Sequence, residues 1–311
     1  MRARCNGIEI EYETFGERAC EPVLLVMGLA SQMLGWTEPF CEALAGRGYF
    51  VVRFDNRDVG LSTKLDGARH DSVLDAMRKA AAGLPVRAPY LLRDMAADTA
   101  GLIEALGLER AHVVGASMGG MIAQSLAIEF PERVGTLVSI MSTSGAPDLP
   151  GPRPEVLRLL LVAPPTSRAQ AVAQALVTWR TIGSPGFPFD EARIRERAER
   201  SWDRCHHPAG VARQLVAISA SGSRRRALGG VRAPTLVIHG EDDPLVPVAC
   251  GRDTAQAIPG AQALFIPGMG HDLPVELYDT LVDAIARHAG AHPIRSAPAR
   301  ARPAAPRPSP A

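Results

Sequence analysis

The feature that most constrains the fold is a series of short runs built almost entirely of apolar residues. The first run alternates apolar and polar residues, but most of the others are continuous, as in strands buried on both faces of a parallel sheet. Helical patterns separate several runs, for example at residues 95–106 and 275–288. The chain is therefore predicted to form an α/β fold with a doubly wound, mostly parallel sheet, with strands at residues 8–14, 23–27, 49–54, 111–114, 136–141, 235–239 and 263–266.

The regular alternation stops between residues 145 and 230, where prolines separate helical segments rich in Arg, Ala and Leu. We therefore predict a first part of the α/β core at 1–144, a helical cap or lid at 145–230 and a second part of the core at 231–290. The run Arg224 to Arg226 is expected on a solvated face near the return to the sheet. Residues 291–311 consist largely of Pro, Ala and Arg, a composition that predicts a disordered tail.

Composition excludes several classes of protein. The 311 residues are 46% hydrophobic, and their formal net charge of +1 gives no sign of a nucleic-acid partner. No stretch approaches the roughly 20 apolar residues of a membrane span, and the amino terminus has no apolar region typical of export. The five cysteines are an odd number without C-x-x-C spacing, which favours reduced thiols. These features predict a cytoplasmic protein.

The run Gly115-Ala-Ser117-Met-Gly119 follows a predicted strand and precedes a predicted helix that ends at Pro131. A serine between two glycines in this context predicts a nucleophile elbow, in which a strained turn exposes the hydroxyl to a base. The alternative is that Ser117 only caps the helix, a role that serine performs well. The candidate partners of Ser117 decide between the two.

A serine nucleophile needs a base and an acid that orients the base, both at the carboxyl ends of later strands. His271 follows a predicted strand and a glycine-rich turn, which makes it the favoured base. Asp243 also follows a strand and is the favoured acid, with Asp242 and Asp272 as competitors. The order Ser117, Asp243, His271 is the one expected when a nucleophile elbow occurs on an α/β sheet.

Two backbone N–H groups are predicted to stabilise an oxyanion. That of Met118 lies at a helix amino terminus, where the helix dipole favours negative charge. That of Leu29 lies in the loop after the strand at 23–27. Four aromatic residues are candidates for substrate contact, although packing within the lid or the loop would equally explain them: Trp36, Trp179, Phe187 and Trp202.

Over roughly residues 7 to 288 the chain resembles the α/β-hydrolase family. The resemblance rests on Met27-Gly28, the segment from Asp55 to Ser62, the Ser117 motif, the segment from His239 to Asp243, and Gly270-His271. Within the family, Met27-Gly28, Trp36 and the segment from Trp179 to Asp190 are similar to the branch that contains anthracycline (aclacinomycin-type) methylesterases. The loop from Asp55 to Ser62 is interpreted as structural support.

This resemblance implies cleavage of a small-molecule carboxylic ester through an acyl-enzyme, with no metal or organic cofactor. Ser117 would be the nucleophile, His271 the base, Asp243 the acid, and Leu29 and Met118 the oxyanion donors. Lactone opening, carbon–carbon bond hydrolysis and peracid formation use the same residues and stay open. A ligand-binding relative without turnover is a further alternative, and the sequence specifies no oligomeric state.

Overall fold

The computed structural model describes residues 1–159 and 161–294. Its centre is an eight-stranded sheet in the order β1-β2-β4-β3-β5-β6-β7-β8. The pairs β1–β2 and β2–β4 are antiparallel, and all the other pairs are parallel. The strands are β1 (Arg2–Cys5), β2 (Ile8–Phe15), β3 (Glu21–Val26), β4 (Tyr49–Phe54), β5 (Ala111–Ala116), β6 (Val134–Ile140), β7 (Thr235–Gly240) and β8 (Gln262–Ile266).

Helices cover both faces of the sheet. In chain order they are α1 (Glu38–Ala45), α2 (Val73–Ala81), α3 (Leu92–Ala105), α4 (Met118–Glu129), α5 (Pro154–Leu159), α6 (Arg168–Ile182), α7 (Glu191–Arg204), α8 (Pro208–Ser221), α9 (Arg225–Leu228), α10 (Val248–Ala257) and α11 (Tyr278–Gly290). Within the described residues, none of these helices combines the length and the apolarity needed to cross a membrane.

Successive residues of the central strands belong to two different hydrophobic clusters. Leu24 and Val26 pack with residues of α3 and α4, whereas Val23 and Leu25 pack with residues of α1 and α11. Burial on both faces is why these strands read as continuous apolar runs. The predicted α/β fold with a doubly wound, mostly parallel sheet is confirmed.

Five helices, α5 to α9, lie between β6 and β7, where the strand pattern of the sequence stops. Ser167 and Asp190 cap α6 and α7, because their side chains accept hydrogen bonds from Gln170 N and Arg193 N. We call residues 145–230 the helical insertion. Its predicted function as a lid stays a prediction, and the predicted disordered tail lies mostly outside the described residues.

One expectation about the insertion is wrong. The Arg224 side chain is not solvated, because the residue is only 8% exposed. Its guanidinium donates hydrogen bonds to Gln124 Oε1 and to the Thr143 carbonyl oxygen. The arginine run therefore begins inside the molecule, and only Arg226 is fully on the surface.

Candidate active site

Ser117 stands at a sharp turn between β5 and α4. Its φ of 56° and ψ of −121° lie outside the regions that a residue with a side chain normally adopts. A Cβ atom on Gly115 would lie 2.2 Å from the Gly119 oxygen, and one on Gly119 would lie 2.1 Å from the Val26 oxygen. Only glycine fits at either side of the serine, so the G-x-S-x-G spacing follows from the close approach of the backbone.

A continuous chain of hydrogen bonds joins Ser117 to two side chains from the ends of later strands. Ser117 Oγ lies 2.9 Å from His271 Nε2, and His271 Nδ1 lies 2.7 Å from Asp243 Oδ2. His271 follows β8 and Asp243 follows β7. The structure thus brings together the three side chains that the sequence singled out, in the arrangement that a serine nucleophile requires.

Asp243 is held in place on all sides. Its Oδ1 accepts hydrogen bonds from Leu245 N at 2.9 Å and Val246 N at 2.8 Å, and the residue is 4% exposed. Burial raises the pKa of this carboxyl, but the facing His271 and the hydrogen bonds from His239, His271 and Val246 outweigh burial and hold the pKa well below its usual range. The carboxylate is therefore ionised wherever the protein is folded at neutral pH.

The two competing acids are occupied elsewhere. Asp242 Oδ2 accepts a hydrogen bond from Gly268 N at 2.8 Å, and Asp272 accepts one from Ser184 Oγ. Neither carboxylate hydrogen-bonds to the His271 ring within the described residues. The geometry therefore favours Asp243 over both.

Next to Asp243 is a histidine whose contact with it was not anticipated. This histidine, His239, is the penultimate residue of β7. Its Nε2 lies 2.7 Å from the Val246 oxygen and 3.5 Å from Asp243 Oδ2. The position of His239 near the end of β7, four residues before the acid, is the signal that would have indicated this contact.

Two backbone N–H groups lie beside Ser117 without acceptors. Met118 is the first residue of α4, where helix geometry leaves the N–H unpaired, and Leu29 lies in the loop after β3. Within residues 1–159 and 161–294, neither N–H donates to a protein acceptor. Gly28 brings this loop close, since a Cβ atom there would be 3.1 Å from Ser117 Cβ.

Ser117 and His271 open into a pocket of about 1610 Å³. The ends of the sheet strands form one side, and α6, α7 and α8 of the helical insertion form the other. Three of the four aromatic candidates line this pocket: Trp179, Phe187 and Trp202. Trp202 stacks on His206 with 4.1 Å between ring centroids.

Trp36, the fourth aromatic candidate, does not line the pocket. It is fully buried, packs on Phe40 with ring centroids 5.2 Å apart, and is not among the residues that line the pocket. Its neighbour Gly35 lines the pocket instead. The loop that carries Trp36 borders the pocket as expected, but the indole ring turns toward α1, where it packs in an apolar cluster.

The fold and the serine site together define a class of protein. Residues 21–276 match the family model of the alpha/beta hydrolase fold, so the chain belongs to the α/β-hydrolase family. Among its relatives are the rhodomycin D methylesterases of Streptomyces sp. (strain C5) and Streptomyces peucetius. Each is 30% identical over 299 residues, which cover 89% of this chain and 93% of the relative.

Solved structures show the same architecture. The enol-lactonase from Burkholderia xenovorans LB400 superposes with a TM-score of 0.69 at 23% identity, over 93% of this chain and 99% of that chain. The 2-hydroxy-6-oxo-6-phenylhexa-2,4-dienoate hydrolase from Rhodococcus sp. strain RHA1 superposes with a TM-score of 0.72 at 19% identity, over 92% and 96% of the two chains. At this level of identity the likeness establishes the fold.

Proposed function

We propose that this protein is a serine hydrolase that cleaves carboxylic esters through an acyl-enzyme intermediate. The observation that carries the proposal is the hydrogen-bonded chain from Asp243 through His271 to Ser117, with its two distances of 2.7 Å and 2.9 Å. The similarity to two methylesterases over most of the chain supports an ester as the substrate.

The reaction follows from the geometry. Ser117 Oγ attacks the ester carbonyl carbon while its proton passes to His271 Nε2, and the N–H groups of Leu29 and Met118 hold the resulting oxyanion. Collapse of this intermediate breaks the carbon–oxygen bond, and the alcohol leaves with the proton from His271. Water then attacks the acyl-enzyme and gives a proton to His271, which passes it to Ser117 Oγ as the acid is released. Asp243 keeps the His271 ring in the required orientation throughout.

The substrate is proposed to be a methyl ester, or another ester of a small alcohol, on a bulky acid. Ligand pockets usually measure about 300–1000 Å³, and the pocket here is larger, at about 1610 Å³. Its lining includes the aromatic side chains of Trp179, Phe187 and Trp202, which suit a flat ring system. The names of the two methylesterase relatives support the small alcohol.

The helical insertion is proposed to act as a lid. Its helices α6, α7 and α8 supply much of the pocket wall, so a substrate seated against Ser117 would be enclosed between them and the sheet. Enclosure of this kind excludes water from the reacting carbonyl.

Labelling with a fluorophosphonate tests the nucleophile. We expect the intact protein to be labelled at Ser117 and the Ser117→Ala variant to lose both labelling and ester hydrolysis. Hydrolysis is then measured on methyl esters of aromatic polycyclic acids, on p-nitrophenyl esters of graded acyl length and on simple lactones. Parental rates in the alanine variant would refute the nucleophile, and activity confined to lactones would refute the ester substrate.

A further inference from the structure

One stripe of α7 faces the pocket. Its pocket-lining residues recur every three or four positions, which is the helical period: Arg193, Ile194, Arg197, Ala198, Ser201 and Trp202. Arg193 and Arg197 are the charged members of this stripe. The position of Arg197 in the helix therefore directs a guanidinium toward the volume that the substrate would occupy.

The other arginines of α7 have anionic or polar partners. Arg195 contacts Glu191 at 3.1 Å, Arg200 contacts Glu38 at 2.7 Å and Arg204 contacts Asp55 at 2.6 Å. Arg193 donates to Tyr278 Oη at 2.9 Å and lies 3.8 Å from Asp190.

Arg197 differs from all of them. Within residues 1–159 and 161–294, no carboxylate lies within 4.0 Å of its guanidinium, and the side chain has no hydrogen-bond acceptor. Residues 160 and 295–311 contain no Asp or Glu. Among the described residues, the Arg197 guanidinium therefore makes no ion pair with a side-chain carboxylate.

Burial alone does not distinguish Arg197, as Arg224 shows. Burial lowers the pKa of both guanidinium groups to about 10. Arg224, however, donates to the oxygens of Gln124, Thr143 and Gly222, so its role is structural. Arg197 is half-buried and has no such protein acceptors, and the nearby charge of Arg193 also lowers its pKa.

A contact with an aromatic ring orients Arg197 and leaves its donors free. The guanidinium lies over the Trp179 ring, with Cζ 4.6 Å from the ring centroid. Stacking uses one face of the planar group, while the N–H bonds point outward in that plane. The pair therefore presents a fixed fork of donors to the pocket.

This fork belongs to the same site as the reacting serine. Trp179 lies about one turn before Ile182 on α6, and the Ile182 carbonyl oxygen accepts the backbone N–H of His271 at 2.7 Å. The acid in this part of the pocket is Asp272. Burial raises the pKa of Asp272 despite the hydrogen bond from Ser184 and the charges of Arg193 and Arg197. Asp272 therefore acts on Arg197 only at a distance, and its nearer hydrogen-bond partner is Ser184.

We propose that Arg197, oriented by Trp179, binds a carboxylate of the substrate, so that the natural ester carries a second, free acid group. A carboxylate matches the planar fork with two parallel hydrogen bonds and neutralises the unpaired cation. This inference rests on the proposed ester hydrolysis and narrows its substrate class to acidic esters.

The test compares two substrates that differ only in this charge, monomethyl terephthalate and dimethyl terephthalate. We expect the full-length protein to prefer the monoester by about tenfold or more in kcat/KM, as charged hydrogen bonds of this kind allow. Arg197→Met should lower kcat/KM for the monoester, through a higher KM, far more than kcat/KM for the diester, and so remove the preference. Arg195→Met, on the same helix but outside the pocket lining, keeps the preference and serves as the matched control.

Two further measurements keep the inference testable if the methionine variant fails to fold. Arg197→Lys keeps the charge without the fork and should give an intermediate preference, and added salt should reduce the preference of the parental protein. An unchanged preference for the monoester in Arg197→Met overturns this inference, as does the lack of that preference in the parental protein. Neither result contradicts the proposed ester hydrolysis. Loss of hydrolysis on both esters together with no fluorophosphonate labelling overturns the proposed function itself.

Discussion

Strain and crowding coincide at Ser117. A left-handed backbone costs a residue with a side chain roughly 1–3 kcal/mol, and Ser117 has a φ of 56°. That conformation holds Oγ against His271 Nε2 and leaves the N–H of Met118 unpaired beside it. The strained backbone of Ser117 therefore costs stability, but it orients the Oγ atom toward the base. We therefore expect small steric changes around Ser117 to lower turnover more than they lower the stability of the fold.

Gly28→Ala tests this sensitivity. The added methyl group would meet Ser117 Cβ at 3.1 Å and the Ala116 oxygen at 3.2 Å, so the serine must shift by a few tenths of an ångström. We expect kcat/KM on a p-nitrophenyl ester to fall by about 10-fold to 100-fold, since displacement of a reacting group by 1 Å can cost about 100-fold. The melting temperature should change little.

The control for this change is Gly229→Ala. Gly229 is remote from the site and has a φ of −61°, and a Cβ atom there would have ordinary contacts of 3.4 Å and 3.9 Å. The Gly229→Ala variant should retain parental activity. Equal kcat/KM in both alanine variants would show that Gly28 is not crowded against the serine.

The choice of acid makes a second prediction at this scale. Asp243→Asn should lower kcat by about four orders of magnitude, because an amide in place of the carboxylate imposes the wrong tautomer on the His271 ring. Asp242→Asn should have a small effect, since Asp242 bonds to Gly268 N and not to the ring. Steady-state rates of the two variants decide the matter, and a greater loss at Asp242 would reverse the assignment.

The sequence predicts these residues correctly because the backbone of the sheet fixes where each of them lies. Ser117, Asp243 and His271 each follow a strand of the parallel sheet, and the carboxyl ends of such strands meet at one edge. Trp36 and Arg224 have no comparable constraint. The side chain of each turns toward whichever cluster or acceptor the fold provides, and a single sequence contains no information on that choice.

At the scale of elements, the insertion is tied to the loops after the sheet strands by buried polar contacts. Arg213 on α8 binds Asp58 through two hydrogen bonds of 2.9 Å and 2.7 Å. Gln214 donates to the Arg57 oxygen at 2.9 Å and accepts from Ala30 N at 3.1 Å. The second contact holds the residue next to Leu29. Helix α8 therefore positions the loop that carries one predicted oxyanion donor.

Asp58→Asn should cost about 3–5 kcal/mol in the free energy of unfolding, because it removes the buried counter-charge of Arg213 and leaves only the exposed Asp66 as its ion-pair partner. Asn tolerates the φ of 71° at this position, so backbone strain does not confuse the result. Denaturant midpoints at neutral pH measure the loss. Asp66→Asn is the control, because this exposed carboxylate also contacts Arg213, at 3.3 Å, yet solvent weakens such a pair.

The stabilisation by Asp58 should also depend on pH. Burial raises the pKa of Asp58, but hydrogen bonds from Arg213, Leu65 N and Tyr90 outweigh burial and lower it. A carboxyl with a lowered pKa stabilises the fold above its unfolded value of about 3.9 and loses this effect as pH falls through the folded value. The difference between parental protein and Asp58→Asn should shrink when unfolding is measured below about pH 4. A difference that grows there would contradict the assignment.

The elements themselves were predictable wherever burial controlled the sequence. Every strand with a continuous apolar run was recognised. Strand β1 was missed because Arg2–Cys5 has little apolar character. The Asn6-Gly7 pair joins it to β2 and has φ values of 47° and 79°. A tight two-residue hairpin turn requires positive φ at both of its central residues. That dipeptide was the available signal.

On the scale of the whole molecule, the pocket joins the sheet to the helical insertion, since each contributes part of its wall. The size and chemistry of that pocket depend on contacts between segments that are far apart in sequence. Pattern reasoning therefore predicted the reaction more fully than the substrate. The same geometry implies that a ligand at Ser117 should stabilise both parts of the chain together.

Phenylboronic acid, which forms a tetrahedral adduct with a serine oxygen, makes this testable. At a concentration about 100 times its Kd it should add about 2.7 kcal/mol to the free energy of unfolding, which corresponds to a rise of several degrees in Tm. We expect a single calorimetric transition that moves as a whole, because the wall contributed by α6, α7 and α8 is buried against the same ligand as the sheet loops. Ser117→Ala should show no shift. Two transitions, of which only one responds to the boronic acid, would mean that residues 145–230 unfold separately from the sheet and that the pocket does not couple them.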